Sequence, residues 1–253
     1  MAQAGGITPD GRVSMGVGAR RIGLLGGTFD PIHCGHLDVA EAAQRALGLM
    51  RVFVITSNVP PHRPQPYASA FHRFAMVALA VSEQPDWRAT DLELRSDAPS
   101  YTSFTLAKFH ERGFAATELV FIIGADAFAE IASWRDYPQL LEAAHFAVVS
   151  RPGCSVHELG DRLPALAPRM TVAPIDPLDY GTPLIILIDA PTADVSSTAI
   201  RWRIAAGEPI TGQVPARVQQ HIEQHGLYTS ATPGRRAIDA VELPAAGRLH
   251  GQE

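Results

Sequence analysis

Two histidines separated by two residues, His33 and His36, lie in the run Gly26-Gly27-Thr28-Phe29-Asp30-Pro31-Ile32-His33-Cys34-Gly35-His36-Leu37. Glycines let the backbone approach a ligand closely, and imidazoles exchange hydrogen bonds near neutral pH. If a helix opens here, its first N–H groups add unpaired donors and positive potential. The layout suits a phosphate site. A metal reading is also possible, since His33, Cys34 and His36 are all potential ligands. However, a metal needs neither two glycines nor a helix start, and no further Cys/His cluster in the sequence completes a shell. Two other phosphate loops are excluded. Residues 23–27 lack the G-x-G-x-x-G spacing, and Lys108, the only lysine, does not follow a glycine as in G-x-x-x-x-G-K-[ST].

The flanking sequence supplies the elements that would hold this run. Arg21–Leu25 reads as a short buried strand. Behind the histidines, Val39, Ala42, Ala43, Ala46 and Leu47 recur at helical spacing and predict a helix over 38–47. Further strands are predicted at 52–55, 119–123, 146–149 and 184–188, with an alternating segment at 87–95. Helices are predicted at 71–81, 102–112, just after Asp126, and at 138–144, 197–206 and 215–224. Residues 151–183, rich in proline, show no regular pattern. The alternation implies an α/β fold: a Rossmann-like, doubly wound, mostly parallel sheet with helices on both faces. Such sheets bind ligands outside the carboxyl ends of their strands, where strand order switches. The loops 26–36, 57–63, 124–134 and 190–201 all follow strands, so they should meet in one cleft.

At 253 residues and 46% apolar, the chain can bury a sizeable core. A net charge of −5 argues against a broad nucleic-acid or anionic-membrane surface. Apart from Lys108 the basic residues are arginines, which makes them the available phosphate forks. Two cysteines, Cys34 and Cys154, offer no disulfide framework and fit a reducing cytosol. No apolar run approaches the roughly 18 residues of a membrane span, and the N-terminus has no apolar signal region. The expectation is a cytoplasmic protein with no membrane and no nucleic-acid partner. Residues 1–19 read as a disordered leader, 20–228 as a single domain and 229–253 as a disordered tail. Oligomeric state is left open.

His33-Cys34-Gly35-His36 resembles the HxGH signature of the nucleotidyltransferase superfamily, and the longer run from Gly26 to His36 resembles the bacterial nicotinate-mononucleotide adenylyltransferases. A second run, Asp194-Val195-Ser196-Ser197-Thr198-Ala199-Ile200-Arg201, is similar to that family's I-S-S-T-x-I-R. A helix cap explains one of these hydroxyls, but not three in a row with an arginine one turn on. The resemblance implies that Gly26, Gly27, Thr28, Phe29, Ser196, Ser197 and Thr198 bind ATP, with His33, His36 and Arg201 catalytic. Asn58, Arg63, Tyr101, Thr102, Gly124, Asp126 and Trp134 would then bind the mononucleotide, with Trp134 stacked on the pyridine ring. Taken singly, the tryptophan reads as core, Asp126 as a cap and Arg63 as a solvated charge. Their family order is what joins them. Cys34 stands where tyrosine is common in the family and is not read as catalytic.

The implied reaction transfers the adenylyl group of ATP to nicotinate mononucleotide, giving nicotinate adenine dinucleotide and pyrophosphate, a step of NAD biosynthesis. The nucleophile is a phosphate already ionised near neutral pH, so no general base is needed. The obstacle is one polyanion approaching another, and catalysis reduces to positioning and charge neutralisation. On this reading His36 meets the α-phosphate oxygens and His33 positions ATP. Mg2+ would be held mainly by the ATP phosphates, with no protein metal ligand. Two alternatives share the histidine loop: a phosphopantetheine adenylyltransferase, and a non-catalytic nucleotide-binding sensor. An RNA-binding relative of the aminoacyl-tRNA synthetases fits the acidic charge poorly.

Overall fold

The computed structural model describes residues 21–58, 65–96, 98–174 and 181–230. The leader at 1–19 and nearly all of the tail at 229–253 lie outside the described residues, as does Arg63. The elements in order are β1 (Ile22–Gly27), α1 (Cys34–Leu47), β2 (Arg51–Thr56), α2 (Ala70–Val81), β3 (Trp87–Thr90), α3 (Thr102–His110), β4 (Leu119–Gly124) and α4 (Ala125–Phe128). They continue with β5 (His145–Val149), α5 (Leu159–Arg162), β6 (Met170–Val172), β7 (Ile185–Ile188), α6 (Ser197–Ala205) and α7 (Ala216–Gln224). Among the described residues no helix is long and apolar enough to cross a membrane.

The seven strands form one sheet in the order β3-β2-β1-β4-β5-β7-β6, and every neighbouring pair is parallel. From β1 the chain steps outward to β2 and β3, then returns to β4 on the other side of β1. Strand order therefore reverses between β1 and β4, and their carboxyl ends at Gly27 and Gly124 flank the crevice where such sheets bind ligands. Successive residues of a strand point to opposite faces. Leu24 accordingly packs with Leu106, Phe109, Phe128 and Phe146, whereas Leu25 packs with Val39, Ala43, Met76, Val77, Val218 and Ile222. One face is covered by α1, α2 and α7, the other by α3 and α4.

Four elements differ from their sequence patterns. Helix α1 starts at Cys34, not at Asp38, so His33 is its N-cap and His36 lies in its first turn. A histidine cap lacks the hydroxyl or carboxylate that marks a helix start in sequence. The C-terminus obeys the rule, with Gly48 left-handed at φ 59°. The alternating segment 87–95 is a strand only to Thr90, after which Leu94 N–H donates to the Asp91 carbonyl in a turn. Residues 138–144 form a 3-10 turn over Gln139–Glu142. The irregular stretch 151–183 contains α5 and the edge strand β6, which pairs Met170 with Ile185. Three residues are too few to show a period.

His145, at the start of β5, is 4% exposed, and its Nδ1 accepts from Leu184 N–H at 3.1 Å. Burial, followed by the charge of Arg21, pushes its pKa down from 6.5 to about 4. The unfolded chain takes up this proton near 6.5 and the folded chain only near 4, so the stability present above 6.5 is lost as pH falls. Between pH 6.5 and 5 this one group should cost about 2 kcal/mol. Urea denaturation of wild type and His145→Gln across that range should show the wild type losing that much more. Equal pH dependence in the two would disprove it.

Candidate active site

The two histidines stack at the N-terminus of α1, with ring centroids 3.7 Å apart and planes inclined by 26°. His33 N–H donates to His36 Nδ1 at 3.3 Å. An imidazole thus serves as the acceptor that a hydroxyl or carboxylate supplies at an ordinary helix start. With Nδ1 occupied as acceptor, neutral His36 carries its proton on Nε2, which becomes the outward donor. The Phe29 ring meets the His36 ring edge-on, 5.1 Å away at 86°. Phe29 is itself 2% exposed and left-handed at φ 51°. Gly27 makes room for it, because a Cβ there would stand 2.9 Å from the ring. The Phe29 ring is therefore a buried wall behind His36.

His33 is 2% exposed, and burial, reinforced by the Arg151 charge, pushes its pKa from 6.5 down to about 3. It is neutral at physiological pH. Its Nδ1 is buried without a hydrogen-bond partner among the described residues. The residue can give a directed hydrogen bond and no more. Arg151 holds this end of α1 in place: its guanidinium donates to the carbonyls of Gly35 at 3.1 Å and Val195 at 3.4 Å. Asp38 accepts from Ala193 N–H at 2.8 Å. The segment at 193–195 therefore passes directly over Gly35, where a Cβ would stand 3.0 Å from the Ala193 carbonyl oxygen.

Helix α6 forms the second wall. Ser196 is its N-cap and accepts from Ala199 N–H at 3.1 Å, while Ser197 Oγ donates to the Pro31 carbonyl at 2.9 Å. Arg201 donates to the Asp30 carbonyl at 2.7 Å and to Thr198 Oγ1 at 3.2 Å, with its guanidinium 4.5 Å from the Tyr67 ring. Each of the three hydroxyls has a structural task of its own: cap, tether and arginine support. Together they bring two motifs more than 160 residues apart into contact. Two Arg201 donors are engaged, and its five N–H groups leave others for an anion.

Beneath the loop lies a charge pair that the motifs do not reveal. Arg73, on α2, is 1% exposed and donates to the carbonyls of Thr28 at 2.7 Å, Ser57 at 2.6 Å, Asn58 at 3.3 Å and Ala68 at 3.3 Å. The Asp30 carboxylate accepts from Tyr67 N–H at 2.7 Å, Ala68 N–H at 3.0 Å and Tyr228 O–H at 2.8 Å. Burial drives the Tyr228 phenol well above its ordinary pKa of 10, and the Asp30 charge adds to this, so it stays a donor.

The residues that the resemblance assigns to the mononucleotide gather at the ends of β2 and β4. Asn58 N–H donates to Ser100 Oγ at 3.0 Å, and its side chain donates to the Ser96 carbonyl at 2.8 Å. Tyr101 precedes α3, Thr102 begins it, and the Arg135 guanidinium sits 4.7 Å from the Tyr101 ring and 5.1 Å from that of Phe104. Arg135 is a cation that the sequence reading missed, for nothing in its spacing marks it. A Cβ on Gly124 would stand 2.6 Å from the Asp126 carboxylate, so Asp126 folds back over the end of β4. Trp134 is half-buried and meets Phe121 edge-on at 6.1 Å, and a Cβ on Gly26 would stand 3.5 Å from that same Phe121 ring. One phenylalanine therefore separates the tryptophan from the nucleotide loop.

The cytidylyltransferase-like family model matches residues 24–203. A Roseiflexus sp. protein named "Probable nicotinate-nucleotide adenylyltransferase" is 42% identical over 208 residues, covering 82% of this chain and 97% of its own. The nicotinate-nucleotide adenylyltransferase of Salmonella typhimurium is 38% identical, covering 81% of this chain and 97% of its own. Among solved structures, Plasmodium falciparum nicotinic acid mononucleotide adenylyltransferase complexed with NaAD has the same fold, with a TM-score of 0.63 at 17% identity. That match covers 83% of this chain and 98% of the other.

Arg73→Met would leave several buried carbonyls unpaired and Asp30 without its compensating charge, for a loss of roughly 3–5 kcal/mol in urea denaturation. Tyr228→Phe removes one hydrogen bond and should cost about 1–2 kcal/mol. A loss for Arg73→Met no larger than that for Tyr228→Phe would show that Arg73 does not anchor the loops.

Proposed function

The chain belongs to the cytidylyltransferase-like family and to the nicotinate-nucleotide adenylyltransferases, and we propose that it transfers the adenylyl group of ATP to nicotinate mononucleotide, giving nicotinate adenine dinucleotide and pyrophosphate. The observation that carries the reading is the junction of the stacked His33–His36 pair with the Ser197–Arg201 wall, made by bonds to the Pro31 and Asp30 carbonyls. ATP lies along Gly26–Phe29 and Ser196–Thr198, and the mononucleotide lies across the β4 end toward Trp134. This places the two phosphates to react over the strand switch.

The acceptor phosphate attacks the α-phosphorus, a new P–O bond forms, and the bond to pyrophosphate breaks. No side chain has to take a proton. His36 offers Nε2–H to the α-phosphate oxygens, and neutral His33 orients the triphosphate from its buried position. Arg201 and the first N–H groups of α1 and α6 supply positive potential where charge gathers on the transferring group and on pyrophosphate. A positioned donor costs no reorganisation at the moment of reaction. Mg2+ enters with ATP as part of the substrate and lowers its charge. The nearby carboxylates fit that role for the ion, because Asp30 and Asp38 are already bound to backbone N–H groups and Tyr228. We place the reaction in the cytoplasm, a reading that the free Cys34 and Cys154 support.

His36→Ala should lower kcat about 10²–10³-fold with the fold retained by circular dichroism; turnover like the wild type would remove His36 from the reaction. Trp134→Ala should mainly raise the KM for the mononucleotide, and an unchanged KM would take the tryptophan out of the site. Pyrophosphate release from ATP should occur with nicotinate mononucleotide as acceptor. Release with phosphopantetheine alone would assign the other adenylyl acceptor, and release with neither would favour a nucleotide sensor.

A further inference from the structure

Away from the cleft, His72 on α2 meets His221 and His225 on α7. Their ligand atoms all lie within 4.8 Å of one another, the one such three-residue group found among the described residues. The sequence reading saw no second metal-ligand cluster because 149 residues separate His72 from His221. His221 and His225 are one helical turn apart, so they share a face. The two helices run antiparallel. Their apolar faces pack through Met76, Val77, Val218 and Ile222, and Arg217 at the other end of α7 pairs with Glu83 at 3.3 Å. Ring centroids in the histidine cluster are 5.3 Å (His72–His221), 4.9 Å (His72–His225) and 4.4 Å (His221–His225) apart.

We propose that His72, His221 and His225 form a binding site for a divalent transition metal of the zinc class, stapling α2 to α7. His72 Nδ1 and His221 Nε2 stand 3.1 Å apart. Two nitrogens each about 2.0–2.1 Å from a tetrahedral Zn2+ lie roughly 3.3 Å apart, so an ion can replace the shared proton with little movement of the backbone. Three imidazoles without a carboxylate select Zn2+, Co2+ or Ni2+ over Mg2+ and Ca2+, which demand oxygen ligands. A cavity of about 290 Å³ lined by Leu79, Arg217, Gln220, His221 and Gln224 opens beside the cluster and gives water and ions a path to it. A fourth coordination position would hold water.

The staple joins the two helices that control Asp30. His72 adjoins Arg73, and His225 lies three residues before Tyr228, whose hydroxyl bonds Asp30. An ion here would therefore stabilise the floor of the nucleotide loop without entering the site.

The test uses the full chain, free of any affinity tag and stripped with a chelator. Co2+ should bind at about one equivalent, give the visible absorption of a tetrahedral site, and be displaced by Zn2+. Zn2+ at about 100 times its Kd should raise Tm by roughly 5–10 °C. His72→Asn, His221→Gln and His225→Gln, each checked for native near-UV circular dichroism, should lose both the band and the shift. His225 is exposed, so its variant tests the site without disturbing the core. Substoichiometric Co2+ in wild type would overturn the proposal, as would binding that survives in His225→Gln and disappears in Cys34→Ser.

Discussion

Everything around the nucleotide loop depends on a positive charge placed where water cannot reach it. A guanidinium buried alone is prohibitive, and it persists only if nearly every donor is matched. Arg73 meets this condition by gathering the carbonyls of Thr28, Ser57, Asn58 and Ala68. Those carbonyls belong to the loop after β1, the loop after β2 and the segment entering α2. The chain segments are therefore held because the charge must be satisfied, and the charge is tolerated because the segments are there. Asp30 repeats the arrangement with opposite sign, collecting two N–H groups and the Tyr228 hydroxyl. The two residues convert three loops and Tyr228 into one floor.

This floor changes what the histidines can be. His33 is too buried to ionise near neutral pH, and Arg151 makes ionisation harder still. The site therefore does not answer a polyanion with a matching pile of cations. In the proposed reaction, oriented N–H donors carry much of the work: an imidazole N–H selected by a backbone bond, helix N-termini, and Arg201 held by Asp30 and Thr198. Such donors lose little energy by desolvation before the substrate arrives, and they do not need to reorganise when charge develops. Asp30 and Asp38 are turned onto backbone amides.

How much of this was legible in the chain follows from how local each signal is. The β1 strand, the glycines and the two histidines are contiguous, and Ser196 to Arg201 is a cap followed by one helical turn, so both walls could be read directly. The parallel sheet followed from alternating periods. The start of α1 could not be read, because a histidine is acting as a cap. Edge strand β6 was too short to announce itself. Arg73 and Arg135 were invisible for a different reason: an arginine outside a motif reads as surface, and only tertiary pairing buries or orients it. Arg151 reaches Gly35 across 116 residues, and no period encodes such a partner.

Two glycines of the histidine loop have a packing reason that the motif does not state. The sequence suggested close approach of the backbone to phosphate. Gly27 and Gly35 have no positive φ, so conformational freedom is not what requires them. Gly27 yields its volume to Phe29, and Gly35 yields its volume to the Ala193 carbonyl and to Arg151. In both cases the space is taken by the protein, not the ligand. A methyl group at Gly35 would press first on the Ala193 carbonyl, in backbone that Asp38 and Arg151 hold in place. The glycine between the histidines is thus a contact between the two walls of the cleft. It sets their spacing, and through that spacing the distance from His36 to Arg201's helix.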